Sequence, residues 1–387
     1  MSARRRYEVL QTVGEGGMGM VYRARLKGGG DFAKEVALKV LSRGRPDTDD
    51  LARRLRDEAR ILGLLRHRAL VNVDGLVFLD GCWTVVMEYV HGIDLKQLAE
   101  RVGALPEPCA LEVVGEVSGA LNVAYHTPGP DGRALKLLHR DIKPANIQIT
   151  TAGEVKVLDF GVARADFDAR EAETQSLAFG SLGYVAQERI DGIDVPAGDV
   201  YSLGVVLYEL LSGARLGQTF LHKRRHEARL ADKDDILRDR GVSEGTRALV
   251  RDMLAFGPEQ RPDAREVERQ AGQLRGQASG PGLRDWAEEH LATVVEEARG
   301  AVEQGEFVGQ MLEEMHPPQL TLNPEAEVAV VSEPARIEAS TPPRTQSGAG
   351  CGGRALVAVV VVLLVLVALA ALMVVGLGGV VAGSYLF

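Results

Sequence analysis

The sequence predicts an α+β protein whose strands and helices are sorted along the chain, and three observations carry that reading. Short runs of strand type crowd the first 90 residues, longer apolar patterns of helical period dominate from Pro108 to Gln273, and a run at 355–382 contains no charged residue. With 387 residues and 45% apolar side chains, the chain can bury a substantial core. Lys and Arg total 45 against 54 Asp and Glu, a formal charge of -9, which is the wrong sign for a nucleic-acid binder. Three cysteines, Cys82, Cys109 and Cys351, lie far apart without metal-ligand spacing, so neither a disulfide framework nor a zinc site is expected. Arg4, Arg5 and Arg6 are followed by polar, glycine-rich sequence, unlike a secretory signal.

Tyr7–Leu10 and Val21–Ala24 read as strands around Gly14-Glu15-Gly16-Gly17-Met18-Gly19. Glycines there let the backbone approach phosphates closely and present amide donors. A strand, not a helix, follows, which favours a hairpin lid over a dinucleotide fingerprint. Glu35–Val40 alternates as a strand and carries Lys39, whose ammonium, if half-buried, needs an anionic partner. A helix over 51–66 shows Leu55, Ile61, Leu62 and Leu65 on one face and carries Glu58. Strands are expected at 70–73, 76–79 and 83–90, a helical region from Gly92, and a longer helix over Pro108–Tyr125. The stretch after His126, TPGPDGRALK, is turn-rich and reads as a surface insert.

The densest polar pattern is Leu137–Ile147, LLHRDIKPANI, followed after a short hairpin by Leu158–Ala163, LDFGVA. Taken with the glycine-rich turn and the strand lysine, in this order, the chain resembles the protein kinase family, and most closely the bacterial eukaryotic-like (Hanks-type) serine/threonine kinases. The resemblance implies a two-lobed protein kinase fold over about 7–275, with a small β-rich N-lobe (about 7–90) and a larger helical C-lobe (about 91–275). It implies ATP and Mg²⁺ or Mn²⁺ as cofactors and proteins with Ser/Thr acceptors as substrates.

By that resemblance Gly14, Glu15, Gly16, Gly17, Met18, Gly19, Val21 and Ala37 surround the nucleotide. Lys39 contacts its α- and β-phosphates and is held by Glu58. Glu88 and Tyr89 offer backbone groups to the adenine, with Met87 behind it. Asp141 accepts or orients the proton of the substrate hydroxyl, Lys143 neutralises the transferring phosphoryl group, and Asn146 and Asp159 hold the metal. A lysine two residues after the aspartate marks the serine/threonine kinases. Arg140 is placed to clamp a phosphorylated residue of the following segment, with Thr174 and Ser176 as candidates and Ser181 nearer the substrate. Ala186-Gln187-Glu188 lacks the proline of relatives but keeps a glutamate that pairs, in the family, with an arginine in the place of Arg261; Asp199 ties to the catalytic-loop backbone. Two rivals are a nucleotide-binding pseudokinase acting as a membrane scaffold and a small-molecule kinase on the same fold.

Residues 276–315 form an acidic, broadly amphipathic segment with Leu283, Trp286, Val294, Ala298 and Val302 near one face and with Gly300, Gly305 and Gly309 weakening a single long helix. It is expected to pack on the catalytic domain, to pair with a second copy as a homodimer, or to be a loose stalk. Residues 316–354 are a Pro- and Gly-rich tether. In the run over 355–382, Ala355–Val375 alone would make about 31 Å of helix at roughly 1.5 Å per residue, enough to cross a bilayer once. Arg344 and Arg354 precede it and no basic residue follows, which predicts a single-pass protein of the cell membrane with the catalytic domain cytoplasmic and no external domain.

Overall fold

The computed structural model describes residues 5–16, 19–28, 32–41, 61–160, 181–299 and 305–315. Two compact units divide the chain, Met1–Thr321 and Leu322–Phe387, and every described residue belongs to the first. Gly17, Met18, Glu58, Thr174, Ser176, positions 51–60 of the helix expected over 51–66, the tether and the apolar run lie outside the described residues. Among those described, no helix is long and apolar enough to cross a membrane.

Five strands open the chain: β1 (Arg6–Gly16), β2 (Gly19–Lys27), β3 (Ala33–Leu41), β4 (Val73–Leu79) and β5 (Cys82–Glu88). β4 replaces two expected strands, because Leu70 makes only an isolated bridge to Val157. β6 (Gly92–Asp94), β7 (Ile147–Thr150) and β8 (Val155–Val157) form a second, three-stranded sheet in the order β6-β7-β8. The region from Gly92 thus starts as a strand, and the helix α1 (Leu95–Val102) begins where the Asp94 carboxylate caps the Gln97 amide at 2.9 Å.

Helices α2 (Glu107–His126), α3 (Gln187–Ile190), α4 (Pro196–Ser212), α5 (Lys223–Asp239), α6 (Glu244–Met253) and α7 (Ala264–Arg275) make the second layer. α4 is buried nearly all round, Asp199 and Ser202 included, and its end is set by Gly213 in the left-handed conformation (φ 66). Val113, Val117, Leu203, Leu207 and Val267 join in one core.

The last two elements were read only in part from sequence. α8 (Leu283–Arg299) buries Leu283, Trp286, Ala287, Leu291 and Val295 in the helical core, so the acidic segment packs on its own chain and its apolar face is occupied. β9 (Met311–Glu313) then adds antiparallel to β1, with Arg6 opposite Glu313 and Tyr7 opposite Leu312. The first sheet therefore has six strands in the order β4-β5-β3-β2-β1-β9. Just past β9, Glu314 bridges Leu79 and the Met315 amide donates to the Phe78 carbonyl at 2.9 Å, so this segment touches both edges of the curled sheet.

Candidate active site

β3 and the strand–turn–strand around β8 bring the polar groups together. On β3, Lys39 pairs with Val21 of β2 and Val85 of β5, in the middle of the sheet. Its Nζ lies 2.7 Å from Asp159 Oδ1, which joins the sheet lobe to the helical lobe. Asp159 follows β8 with φ 52, and Arg140 beside Asp141 has φ 66. Backbone of this kind is costly for side-chain-bearing residues and persists where the surroundings fix it. Asp199 supplies that constraint at Arg140, its two carboxylate oxygens accepting from the amides of His139 (2.8 Å) and Arg140 (2.9 Å).

Asp141, Lys143 and Asn146 converge within one loop. Lys143 Nζ is 2.9 Å from Asp141 Oδ2, and Asn146 Nδ2 donates to the Asp141 carbonyl (2.7 Å) and to Oδ2 (3.0 Å). The Asn146 amide is thereby turned with its nitrogen toward Asp141. Behind them His139 is fully buried; a ring nitrogen bonds the Leu158 carbonyl at 3.0 Å and the ring lies 4.6 Å from that of Phe160. Burial pushes the His139 imidazole down from its usual range, against the nearby Asp199 and Asp141 charges, so it stays neutral. For Asp159, desolvation works against ionisation, but the Lys39 charge and hydrogen bond, with Lys143, outweigh it and hold the carboxyl below the usual range.

The glycine-rich turn closes β1 onto β2 with Gly16 opposite Gly19. Val21 and the buried Ala37 line up beside it on β2 and β3, and a Cβ built on Gly14 would meet nothing within 4 Å, leaving room over the backbone for a ligand. At the end of β5 the Glu88 amide donates to the Asn72 carbonyl at 2.8 Å, and its carboxylate holds Lys156 at 2.8 Å. That amide is therefore spent within the protein. The ring of Tyr89 packs under the Arg23 guanidinium, 5.1 Å from its centroid.

A divalent ion fits this donor set. Asp159 and Asn146 offer hard oxygen, and among the described residues no group of three or more His, Cys, Asp or Glu could hold a metal by itself. Mg²⁺ suits such a site because it takes one or two protein oxygens and completes its shell with water and substrate phosphates.

Glu188 and Arg261 come together in a bidentate pair at 2.6 and 2.9 Å, with Arg261 fully buried and stacked on the Tyr201 ring at 4.9 Å. The proline replacement Gln187 joins this cluster: its Nε2 lies 3.1 Å from His226 Nδ1 and its Oε1 accepts from Arg261 at 3.4 Å. Arg140 pairs with Asp194, a partner that the sequence pattern does not single out, and Arg189 spans Asp194 (3.0 Å) and Asp199 (3.1 Å). Ser181 opens a short turn of 3-10 helix, Ser181–Tyr184, ahead of α3.

A lysine-paired aspartate facing an aspartate–lysine–asparagine loop across two lobes defines a class of protein built around phosphoryl transfer. The sequence profile of the protein kinase domain matches residues 7–271. The chain belongs to the protein kinase family, in its bacterial Hanks-type branch.

It is 39% identical over 209 residues to a probable serine/threonine-protein kinase of Clostridium perfringens, covering 54% of this chain and 29% of that protein. To the serine/threonine-protein kinase PknA of Mycobacterium tuberculosis it is 37% identical over 216 residues, 54% of this chain and 47% of PknA. To the tyrosine-protein kinase MasK of Myxococcus xanthus it is 34% identical over 215 residues, 54% of this chain and 33% of MasK. The chain thus spans less than half the length of these relatives. Among solved structures, the Mycobacterium tuberculosis PknI kinase domain is 28% identical with TM-score 0.48, covering 69% of this chain and 95% of that one. Rad53 1-466 in complex with AMP-PNP is 25% identical with TM-score 0.53, covering 68% and 64%.

Proposed function

We propose that this chain is an ATP-dependent serine/threonine protein kinase, held to a membrane by the run at 355–382 with its catalytic body on the cytoplasmic side, and that it phosphorylates itself as well as other proteins. The observation that carries the reading is the convergence of Asp141, Lys143 and Asn146, with Lys39 and Asp159 joined across the lobes. Asp141 orients the acceptor hydroxyl and takes its proton as the oxygen bonds to the γ-phosphorus and the bond from that phosphorus to the β–γ bridging oxygen breaks, with ADP leaving. Lys143, already ion-paired with Asp141, shares its charge with the phosphoryl group in transit, and Lys39 draws the remaining phosphates into line. A bound Mg²⁺ held by Asn146 and Asp159 supplies neutralisation of phosphate charge. The lysine two residues after Asp141 and the names of two of the three relatives support Ser/Thr as the acceptor.

The test is incubation of the full chain in detergent with labelled ATP and Mg²⁺, beside Asp141→Asn, followed by mapping of phosphosites. The expected result is label on serine and threonine, Thr174, Ser176 and Ser181 foremost, that disappears in the variant. Label on tyrosine alone overturns the Ser/Thr assignment. Nucleotide binding without transfer to itself or to generic acceptors would instead make the protein a scaffold.

A further inference from the structure

The segment that follows the catalytic domain is built into its nucleotide-binding sheet. α8 is anchored on the helical lobe, where the Leu283 amide donates to Glu112 at 3.2 Å and a Cβ on Gly153 would come within 2.5 Å of the Arg284 Cα. Residues 305–315 then lie along β1. Val9 uses both backbone groups on this strap, its amide donating to the Gln310 carbonyl (2.9 Å) and its carbonyl accepting from Gly309 (3.0 Å), and the Glu314 amide donates to Arg5 at 3.1 Å. Phe307 and Leu312 are buried in the sheet's core, and the Phe307 ring meets the buried Tyr22 edge-on at 5.7 Å.

The place of contact matters. Tyr22 pairs with Thr12 on β1 and with Leu38 on β3; the next pairs along the ribbon are Gly14 with Val21 and Val21 with Lys39. Gly305 sits so close to this spot that a Cβ there would be 2.5 Å from Thr12 Oγ1 and 2.7 Å from the Tyr22 ring. The strap therefore presses on the β1–β2 ribbon one residue pair before the glycine-rich turn. It does so where the ribbon is weakest, because register shifts interrupt the β1–β2 ladder between Val9 and Gln11 and between Thr12 and Gly14. Such irregularities disrupt the ladder locally, and the strap backs β1 there while β3 holds the far side of β2.

We propose that residues 305–315 are a positioning element for the nucleotide: by filling the back of the β1–β2 ribbon through Phe307 and Leu312, they set how firmly the glycine-rich turn and Lys39 hold the phosphates. This rests on the kinase reading above. It places a determinant of ATP affinity about forty residues beyond the end of the family's own domain at residue 271.

The experiment compares the full chain with Phe307→Ala, Leu312→Ala and the conservative Phe307→Tyr, reading hydrogen exchange by peptide and affinity for a non-hydrolysable ATP analogue with Mg²⁺. Exchange over 6–27 is expected to rise in the two alanine variants while 107–126 and 196–212 stay protected. The analogue's Kd and KM for ATP are expected to rise about tenfold, with kcat at saturating ATP changed by less than about threefold, and Phe307→Tyr to restore both. Affinity within about twofold of wild type in both alanine variants would overturn the proposal, whether or not exchange over 6–27 rises. So would loss of protection in both lobes together, which would mark the strap as a general staple of the fold. A wild-type chain that binds no nucleotide while its ribbon still loosens in Phe307→Ala defeats the kinase reading, and with it the nucleotide role of the strap, leaving only the packing.

Discussion

At the scale of single residues, the pair that fixes the lower half of the site is Arg261 with Glu188. Its guanidinium donates also to the carbonyls of Ala255 (2.8 Å), Ala197 (2.9 Å) and Phe256 (3.0 Å), so its charge is buried but fully engaged. Breaking such a pair on one side leaves the other charge in the interior without compensation, which costs about 3–5 kcal/mol. Arg261→Ala is expected to lose that much in urea unfolding, and Arg261→Lys to recover little of it, because an ammonium cannot reproduce the planar fork. An Arg261→Lys midpoint equal to wild type would show that charge alone, without the fork, holds Glu188. Residues of this kind were legible in the sequence where chemistry demands a residue type at a short fixed spacing, as with Asp141, Lys143 and Asn146. Asp194, the partner of Arg140, was not, because nothing local in the sequence marks an aspartate that becomes a counter-ion only when α3 and the catalytic loop pack.

At the scale of elements, the short α3 shows how a missing proline is replaced. Gln187 is the first residue of α3, a position whose backbone accepts proline, so Gln187→Pro should be tolerated by the chain's conformation. The cost lies in the side chain. His226 is buried with Nε2 2.7 Å from the Leu254 carbonyl and Nδ1 facing Gln187, and removing the amide leaves a buried ring nitrogen unmatched, for about 1–3 kcal/mol.

The buried histidines that these elements enclose carry a pH dependence. Burial depresses the His226 pKa, opposed by the bond to Leu254 and helped by the Arg229 and Arg261 charges, and His139 shifts the same way through burial. The unfolded chain therefore takes up protons first. Stability from these two rings is complete above about pH 6.5 and is lost as pH falls below it. Asp94 and Glu209, raised by burial, push in the opposite direction only nearer carboxylate pKa values. The urea midpoint should thus hold between pH 8 and 7 and drop toward pH 5.5; a flat or rising midpoint there contradicts the neutral-histidine assignment. A long element such as α2 could be read from periodicity, whereas β9, at three residues, could not, since its only signal is where Phe307 and Leu312 land. Gly305, read in the sequence as a weakness of a helix, turns out to permit a close backbone approach.

At the scale of the whole molecule, the first compact unit ends at Thr321 and accounts for the chemistry, while the second, Leu322–Phe387, contains the uncharged run. A run of this length without charge favours hydrocarbon over water, and arginine at its centre opposes insertion by about 2.5–3.5 kcal/mol per residue. Expressed in bacteria, the full chain should sediment with membranes and remain there in alkaline carbonate. Leu364→Arg combined with Leu366→Arg should shift it to the soluble fraction, and a chain ending at Thr321 should be soluble throughout. Protease added to intact spheroplasts should leave Met1–Thr321 uncut if the proposed orientation holds, since arginines such as Arg344 and Arg354 beside an apolar run favour the cytoplasmic side. A full chain recovered from the soluble fraction would overturn the single-pass anchor. Digestion of the catalytic unit from outside would reverse its orientation, and with it the compartment from which ATP and substrates reach Asp141.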